Sequence, residues 1–152
     1  MKGSALVLGL GNPILSDDGV GIVLARRLEG KIPNVDVATT AMVGLDLLDL
    51  IARYPRLFVI DAFVGPGGQP GTLRRLSPEV GTLHLFSSHG VNFFEIHELG
   101  RLMGKPMPEV SIYGIEIADE IPFGEELTKE VAEKLEGNAA EIEQDILEYF
   151  NT

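Results

Sequence analysis

The chain has 152 residues, and 12 Lys plus Arg against 23 Asp plus Glu leave a formal charge of −11. With 45% apolar residues, a chain of this length buries about 70% of its extended surface on folding, which excludes disorder and predicts one domain over residues 1–152. The charge repels a phosphate backbone, which argues against a nucleic-acid partner, and the absence of Cys removes disulfides, thiolate metal sites and thiol nucleophiles together.

Met1 to Ser4 runs directly into Ala5-Leu6-Val7-Leu8-Gly9, an apolar stretch too short for a signal h-region or a membrane span. The expectation is a cytoplasmic protein with no membrane partner. Short runs rich in Val, Ile and Leu then alternate with longer segments at helical spacing. That is the pattern of an α/β fold: a single doubly wound domain, with a mostly parallel twisted sheet of about five strands and helices on both faces.

The first strand is expected at about Ala5–Gly9. Val20, Val23, Leu24 and Leu28 fall on one helical stripe, with Gly30 as a stop. Val35–Thr40 alternates as a second strand, and a leucine-rich helix follows from about Leu45 to Arg53 until Pro55 ends it. Leu57-Phe58-Val59-Ile60 is continuously apolar, as a central strand buried on both faces should be, and Asp61 follows it. Four Gly and two Pro within Val64–Gly71 exclude a regular element there. Thr72–Leu76 reads as a strand near an edge, because Arg74 and Arg75 would sit badly in a sheet centre. Asn92–Met103 reads as a helix and Val110–Ile117 as the last strand. Val131, Leu135, Ala139, Ile142, Ile146 and Phe150 step by three or four through Glu and Lys, predicting one long amphipathic helix that Gly137-Asn138 could split.

Three places can carry chemistry. The first loop, Gly9-Leu10-Gly11-Asn12-Pro13-Ile14-Leu15-Ser16-Asp17-Asp18-Gly19-Val20-Gly21, is no dinucleotide fingerprint, since Ile14 stands where the third Gly is needed and no Walker-type Lys follows. Asp17 and Asp18 precede a helix, where carboxylates commonly serve as caps. Two adjacent carboxylates repel, so if one caps, the other is available to a cation. Asp61, at the carboxyl end of a central strand, would lie in the crevice where open α/β sheets bind ligands, against the ordinary alternative of a turn-forming Asp. His89, within Phe86-Ser87-Ser88-His89-Gly90 and ahead of a helix, would face the same edge. His84 and His97 have weaker claims. Two carboxylates and an imidazole suit a divalent transition metal, with nickel, zinc, manganese and iron(II) all open on these residues alone.

In four blocks the chain resembles the hydrogenase maturation endopeptidases, which trim the carboxyl-terminal extension from the large subunit of nickel-iron hydrogenases. Gly9 through Gly21 resembles their opening signature, Val59-Ile60-Asp61-Ala62 the second acidic block, Ser87-Ser88-His89-Gly90 the histidine block and Val110–Ile115 the late strand. The resemblance covers nearly the whole chain. It implies that Asp18, Asp61 and His89 bind the nickel already inserted in the substrate, with the metal as a recognition element. It also implies a hydrogenase large-subunit precursor as partner and no organic cofactor. Some members carry Glu at the first of these positions; Asp18 is one methylene shorter, and Asp17 stays an alternative ligand. No separate catalytic base is assigned, and a serine mechanism lacks its Gly-x-Ser-x-Gly elbow.

Two other readings stand beside it. Gly9–Pro13 also resembles the opening of peptidyl-tRNA hydrolases, which are esterases, but the acidic pair and the charge oppose tRNA. A non-catalytic nickel-binding maturation chaperone could use the same three ligands. The Val64–Gly71 loop is a candidate for shaping substrate access, and the acidic last helix reads as a solvated face before a docking surface. A monomer is the simplest expectation.

Overall fold

The structure, a computed structural model, describes residues 3–41, 44–76 and 93–151. Five strands, β1 (Ala5–Leu10), β2 (Val35–Thr40), β3 (Arg56–Phe63), β4 (Leu73–Leu76) and β5 (Glu109–Glu116), form one sheet in the order β2-β1-β3-β5-β4. The first three and β5 are parallel, and β4 runs antiparallel on the edge beside β5. Every residue of β1 and β3 is buried. That is why these central strands read as unbroken apolar runs rather than alternating ones.

Alternation along the strands divides the core. Ala5, Val7, Phe58, Ile60 and Ala62 face α1 (Val20–Leu28) and α4 (Lys129–Phe150), whereas Leu6, Leu8, Leu10, Leu57 and Val59 face α2 (Asp46–Ile51) and α3 (Phe93–Leu102). The α/β architecture with helices on both faces is therefore as the sequence predicts. Arg74 and Arg75 do lie on an edge, and Arg75 reaches Asp145 and Glu141 of α4 at 3.3 and 3.4 Å.

Two expectations are corrected. Helix α4 is unbroken through Gly137-Asn138. Leu135, Ala139, Ile142 and Ile146 on both sides of that pair are buried against the sheet, which outweighs the propensity penalty of about 1 kcal/mol for a mid-helix Gly. Asn138 also turns its side chain outward, donating from Nδ2 to the Gly71 carbonyl at 2.7 Å. Strand β3 continues past Ile60 to Phe63, since Asp61, Ala62 and Phe63 stay in register with Gly114, Ile115 and Glu116. Asp61 therefore lies inside a hydrogen-bonded strand.

The approach of α1 to the sheet leaves no room for side chains. A Cβ on Gly9 would stand 2.5 Å from the Gly21 carbonyl oxygen and 2.6 Å from the Ala25 Cβ. One on Gly21 would stand 2.4 Å from the carbonyl oxygens of both Leu10 and Ile60. Gly21→Ala should therefore force α1 off the ends of β1 and β3 and destabilise the protein by about 1–3 kcal/mol, measurable as a lowered urea midpoint with little change in slope.

Candidate functional site

The chain leaves β1 at Leu10 and forms a single 3-10 turn at Ser16–Gly19 before entering α1. The turn packs against β3. A Cβ on Gly11 would lie 2.5 Å from the Asp18 carbonyl oxygen, so that glycine lets the turn close on the end of β1. The Asp18 side chain bends back across the strand end, where its Oδ2 accepts the Asn12 N–H at 3.0 Å. Asn12 in turn accepts the Ile14 N–H through its own Oδ1 at 3.2 Å.

Asp61 is placed from the neighbouring strand. Gly9 pairs with Ile60, so Asp61 lies one residue further along, beside the exit of β1. It is 0% exposed, and its Oδ1 accepts the Ala62 N–H at 2.9 Å. By strand alternation it shares its face with Leu57 and Val59, towards α2 and α3. The sheet thus puts Asp18 and Asp61 at one edge, the carboxyl ends of two adjacent parallel strands, where ligands bind in open α/β folds. His89 and His84 lie outside the described residues. His97 has a structural setting, its Nε2 3.2 Å from the Pro108 carbonyl oxygen. Among the described residues, no three or more His, Asp or Glu side chains gather into a metal-holding group.

The adjacent acids divide their work differently from the sequence expectation. Neither supplies a side-chain cap to α1. Asp17, 1% exposed, reaches to the start of α4. Its Oδ1 accepts the Thr128 N–H and its Oδ2 the Thr128 hydroxyl, both at 2.7 Å. With both oxygens taken up by a helix N-terminus, where negative charge is favoured, Asp17 is a structural tie and Asp18 the acid of the pair that faces the strand ends.

Several contributors were not singled out from the sequence. Ser16 adopts φ of +48°, a left-handed conformation that costs a non-glycine residue about 1–2 kcal/mol. It is held there by its N–H to the Gly124 carbonyl at 2.7 Å and its Oγ to the Glu126 carbonyl at 2.6 Å. Thr128 could have been suspected from its position just before a helix, where Thr is a preferred cap. Glu116, buried at the end of β5, accepts the Gln69 N–H through Oε2 at 3.0 Å, while its carbonyl accepts the Gly71 N–H at 2.7 Å. The Gly-rich loop after β3 is therefore pinned to the same edge of the sheet. Ser16 donates its hydroxyl to a backbone carbonyl, and Ser111 lies near the opposite edge, bonded to Arg56. Neither is paired with a base as a serine nucleophile must be.

A deep, fully buried aspartate beside the exit of the first strand, with a second carboxylate folded over that exit, describes an α/β protein whose buried acids gather at the carboxyl edge of its sheet. The family model for hydrogenase maturation proteases matches residues 22–145, and the chain belongs to that family. It is 28% identical over 116 residues to the hydrogenase 2 maturation protease of Escherichia coli K12, covering 72% of this chain and 71% of that one. It is 27% identical over 137 residues to the hydrogenase expression/formation protein HupD of Thiocapsa roseopersicina, covering 86% of this chain but spanning only 62% of HupD. Among solved structures, the hydrogenase maturating endopeptidase HybD from E. coli superposes with a TM-score of 0.74 at 24% identity, over 93% of this chain and 90% of that one. That similarity establishes a shared fold.

Removing the Asp17 carboxylate leaves the Thr128 N–H and hydroxyl without their acceptor. Asp17→Ala should cost about 1–3 kcal/mol of stability, and Thr128→Val, which removes only the hydroxyl, about 1 kcal/mol. Urea titration of both variants and of the double variant checks this. The double variant should lose less than the sum of the two, as expected for partners in one contact.

Proposed function

We propose that this protein is an endopeptidase that removes the carboxyl-terminal extension of a nickel-iron hydrogenase large-subunit precursor after nickel insertion. Family membership supports hydrogenase processing, and the observation that carries the finer reading is the pairing of Asp18 and Asp61 at the carboxyl ends of β1 and β3. In this reading Asp18, Asp61 and His89 contact the nickel held by the precursor. The metal belongs to the substrate, and the protein brings no organic cofactor of its own.

The chemistry fits the donors. Carboxylate oxygens and imidazole nitrogen are suitable ligands for a borderline divalent ion. A chain without thiolates binds such an ion weakly enough to leave it with the precursor. Asp61 is buried in a strand and Asp18 is held by the Asn12 N–H, so both are oriented before the substrate arrives. Binding through the metal then positions the scissile segment, lowering the entropic part of the barrier, and polarisation by the same ion assists attack on the carbonyl. His89 stands four residues ahead of Phe93, the first residue of α3. His89 enters this reading as third ligand through the resemblance of Ser87-Ser88-His89-Gly90 to the family's histidine block.

The test is incubation with a nickel-loaded large-subunit precursor and with a nickel-free one, following release of the carboxyl-terminal peptide by mass. Release from the loaded form alone is expected, and Asp61→Ala and Asp18→Ala should abolish it while far-ultraviolet circular dichroism stays that of the parent. Cleavage by folded Asp61→Ala, or equal cleavage of the nickel-free precursor, overturns the metal-reading role. Nickel binding without release from the cognate loaded precursor supports the chaperone reading instead.

A further inference from the structure

We propose that the segment joining β5 to α4 forms, with the first loop, a docking groove for a stretch of the precursor that carries apolar side chains among basic ones. This rests on the endopeptidase reading above and names the chemistry of the partner that the same edge receives. Residues 118–128 are strapped to the loop by a seam of bonds. Ser16 N–H donates to the Gly124 carbonyl at 2.7 Å and Gly124 N–H to the Ile14 carbonyl at 2.8 Å, and Glu126 and Thr128 are tied to Ser16 and Asp17. The strap is thereby fixed against the turn that carries Asp18.

That fixed strap presents apolar surface to water. Phe123 is 83% exposed, and Ile14, across the seam, is 51% exposed. Depressions of about 310 and 370 Å³ flank the strap, sharing Ser16, Glu125 and Leu127, each in the size range of small binding clefts. The first is lined by Pro13, Ile22, Val23 and Leu127, by one cation, Arg26, opposite Glu125, and by Ser16 and Gly19, which begin and end the turn bearing Asp18. The groove therefore adjoins the turn that carries Asp18, with Ser16 and Gly19 on its wall.

Charge selects the occupant. From residue 118 to 128 the strap carries Asp119, Glu120, Glu125 and Glu126, all exposed, and no Lys or Arg. An aromatic side chain within a polar rim has the anatomy of an interface anchor. On a protein of charge −11 this acidic rim repels acidic segments and steers basic ones. The occupant is thus a basic segment of the precursor with an apolar residue to cover Phe123.

The full-length protein and a nickel-loaded cognate precursor test this through Phe123→Ser and the double variant Glu125→Lys/Glu126→Lys. Phe123 lies in solvent, so its variant should melt with the parent. Phe123→Ser should raise KM about tenfold or more with kcat little changed. The charge reversal should raise KM at low salt and remove most of the increase in KM that salt produces in the parent. Unchanged KM and salt response in both variants, while the parent cleaves, overturns the groove and leaves the endopeptidase reading standing. If the parent cleaves nothing, that reading fails, and calorimetric binding of the same precursor decides the groove alone: weakened binding by both variants supports it, and equal binding overturns it. A parent that self-associates through Phe123, with KM unaffected by the substitution, also overturns it.

Discussion

The structure depends on how closely the start of α1 is pressed onto the ends of β1 and β3. At Gly21 a single added carbon would meet the carbonyl oxygens of Leu10 and Ile60 at once. Those residues end β1 and immediately precede Asp61, so one close contact sets the helix over both strands that carry the site. Gly9 and Gly11 extend the constraint along the loop, the first against Gly21 and Ala25 and the second against the backbone of Asp18. The position of the Asp18 carboxylate is then a consequence of packing. With the turn closed on the strand end, the Asn12 N–H becomes its partner.

Holding the turn there requires support from far along the chain. The left-handed Ser16 would relax if isolated, and it persists because Gly124 and Glu126 take up its N–H and hydroxyl, while Asp17 is locked onto Thr128. A strained residue stabilised from outside its own loop is a common feature of functional sites, where the surroundings over-determine the geometry. Here the surroundings are the last third of the domain. Helix α4 buries Val131, Leu135 and Ile142 against the sheet, and that burial anchors the strap, which in turn anchors the turn.

The two edges of the sheet are put to different uses. At the amino edge, the Arg56 guanidinium is stacked between Phe58 and Tyr149, 4.4 and 4.7 Å from their ring centres, and donates to the Glu109 carbonyl at 2.9 Å. Nearby, the Tyr113 hydroxyl donates to Asp145, which also pairs with Arg75. Burial, the bond to Asp145 and its negative charge all push the Tyr113 hydroxyl well above the usual phenol range, so it remains a neutral donor. Polar groups at this edge are thus engaged in joining α4 to the sheet. At the carboxyl edge, Asp18 and Asp61 stand where the chain leaves β1 and nears the end of β3. Aromatic and ionic ties of α4 thus gather towards one end of the strands and the two candidate carboxylates stand at the other, a division that parallel sheets favour because the loops leaving their carboxyl ends gather on one side.

That division also explains what could be read from the amino-acid sequence. Strand β1, the apolar half of β3 and helices α1 and α4 were legible almost residue by residue, because two-sided burial demands unbroken apolar runs and one-sided burial a three-to-four spacing. Asp61 was legible for the same reason, as a charge at the end of a run with no other polar residue. The role of Asp17 was not, because its partner Thr128 lies 111 residues away and local rules offer only the adjacent helix to a carboxylate in that position. Gly137-Asn138 misled in the complementary way, since a local helix-breaking tendency of about 1 kcal/mol gives no view of the core that overrides it. The glycines of the first loop show the limit most clearly. Their spacing excluded a nucleotide fingerprint, but their purpose is to admit the backbone of another element, and that element's path exists only once the chain has folded.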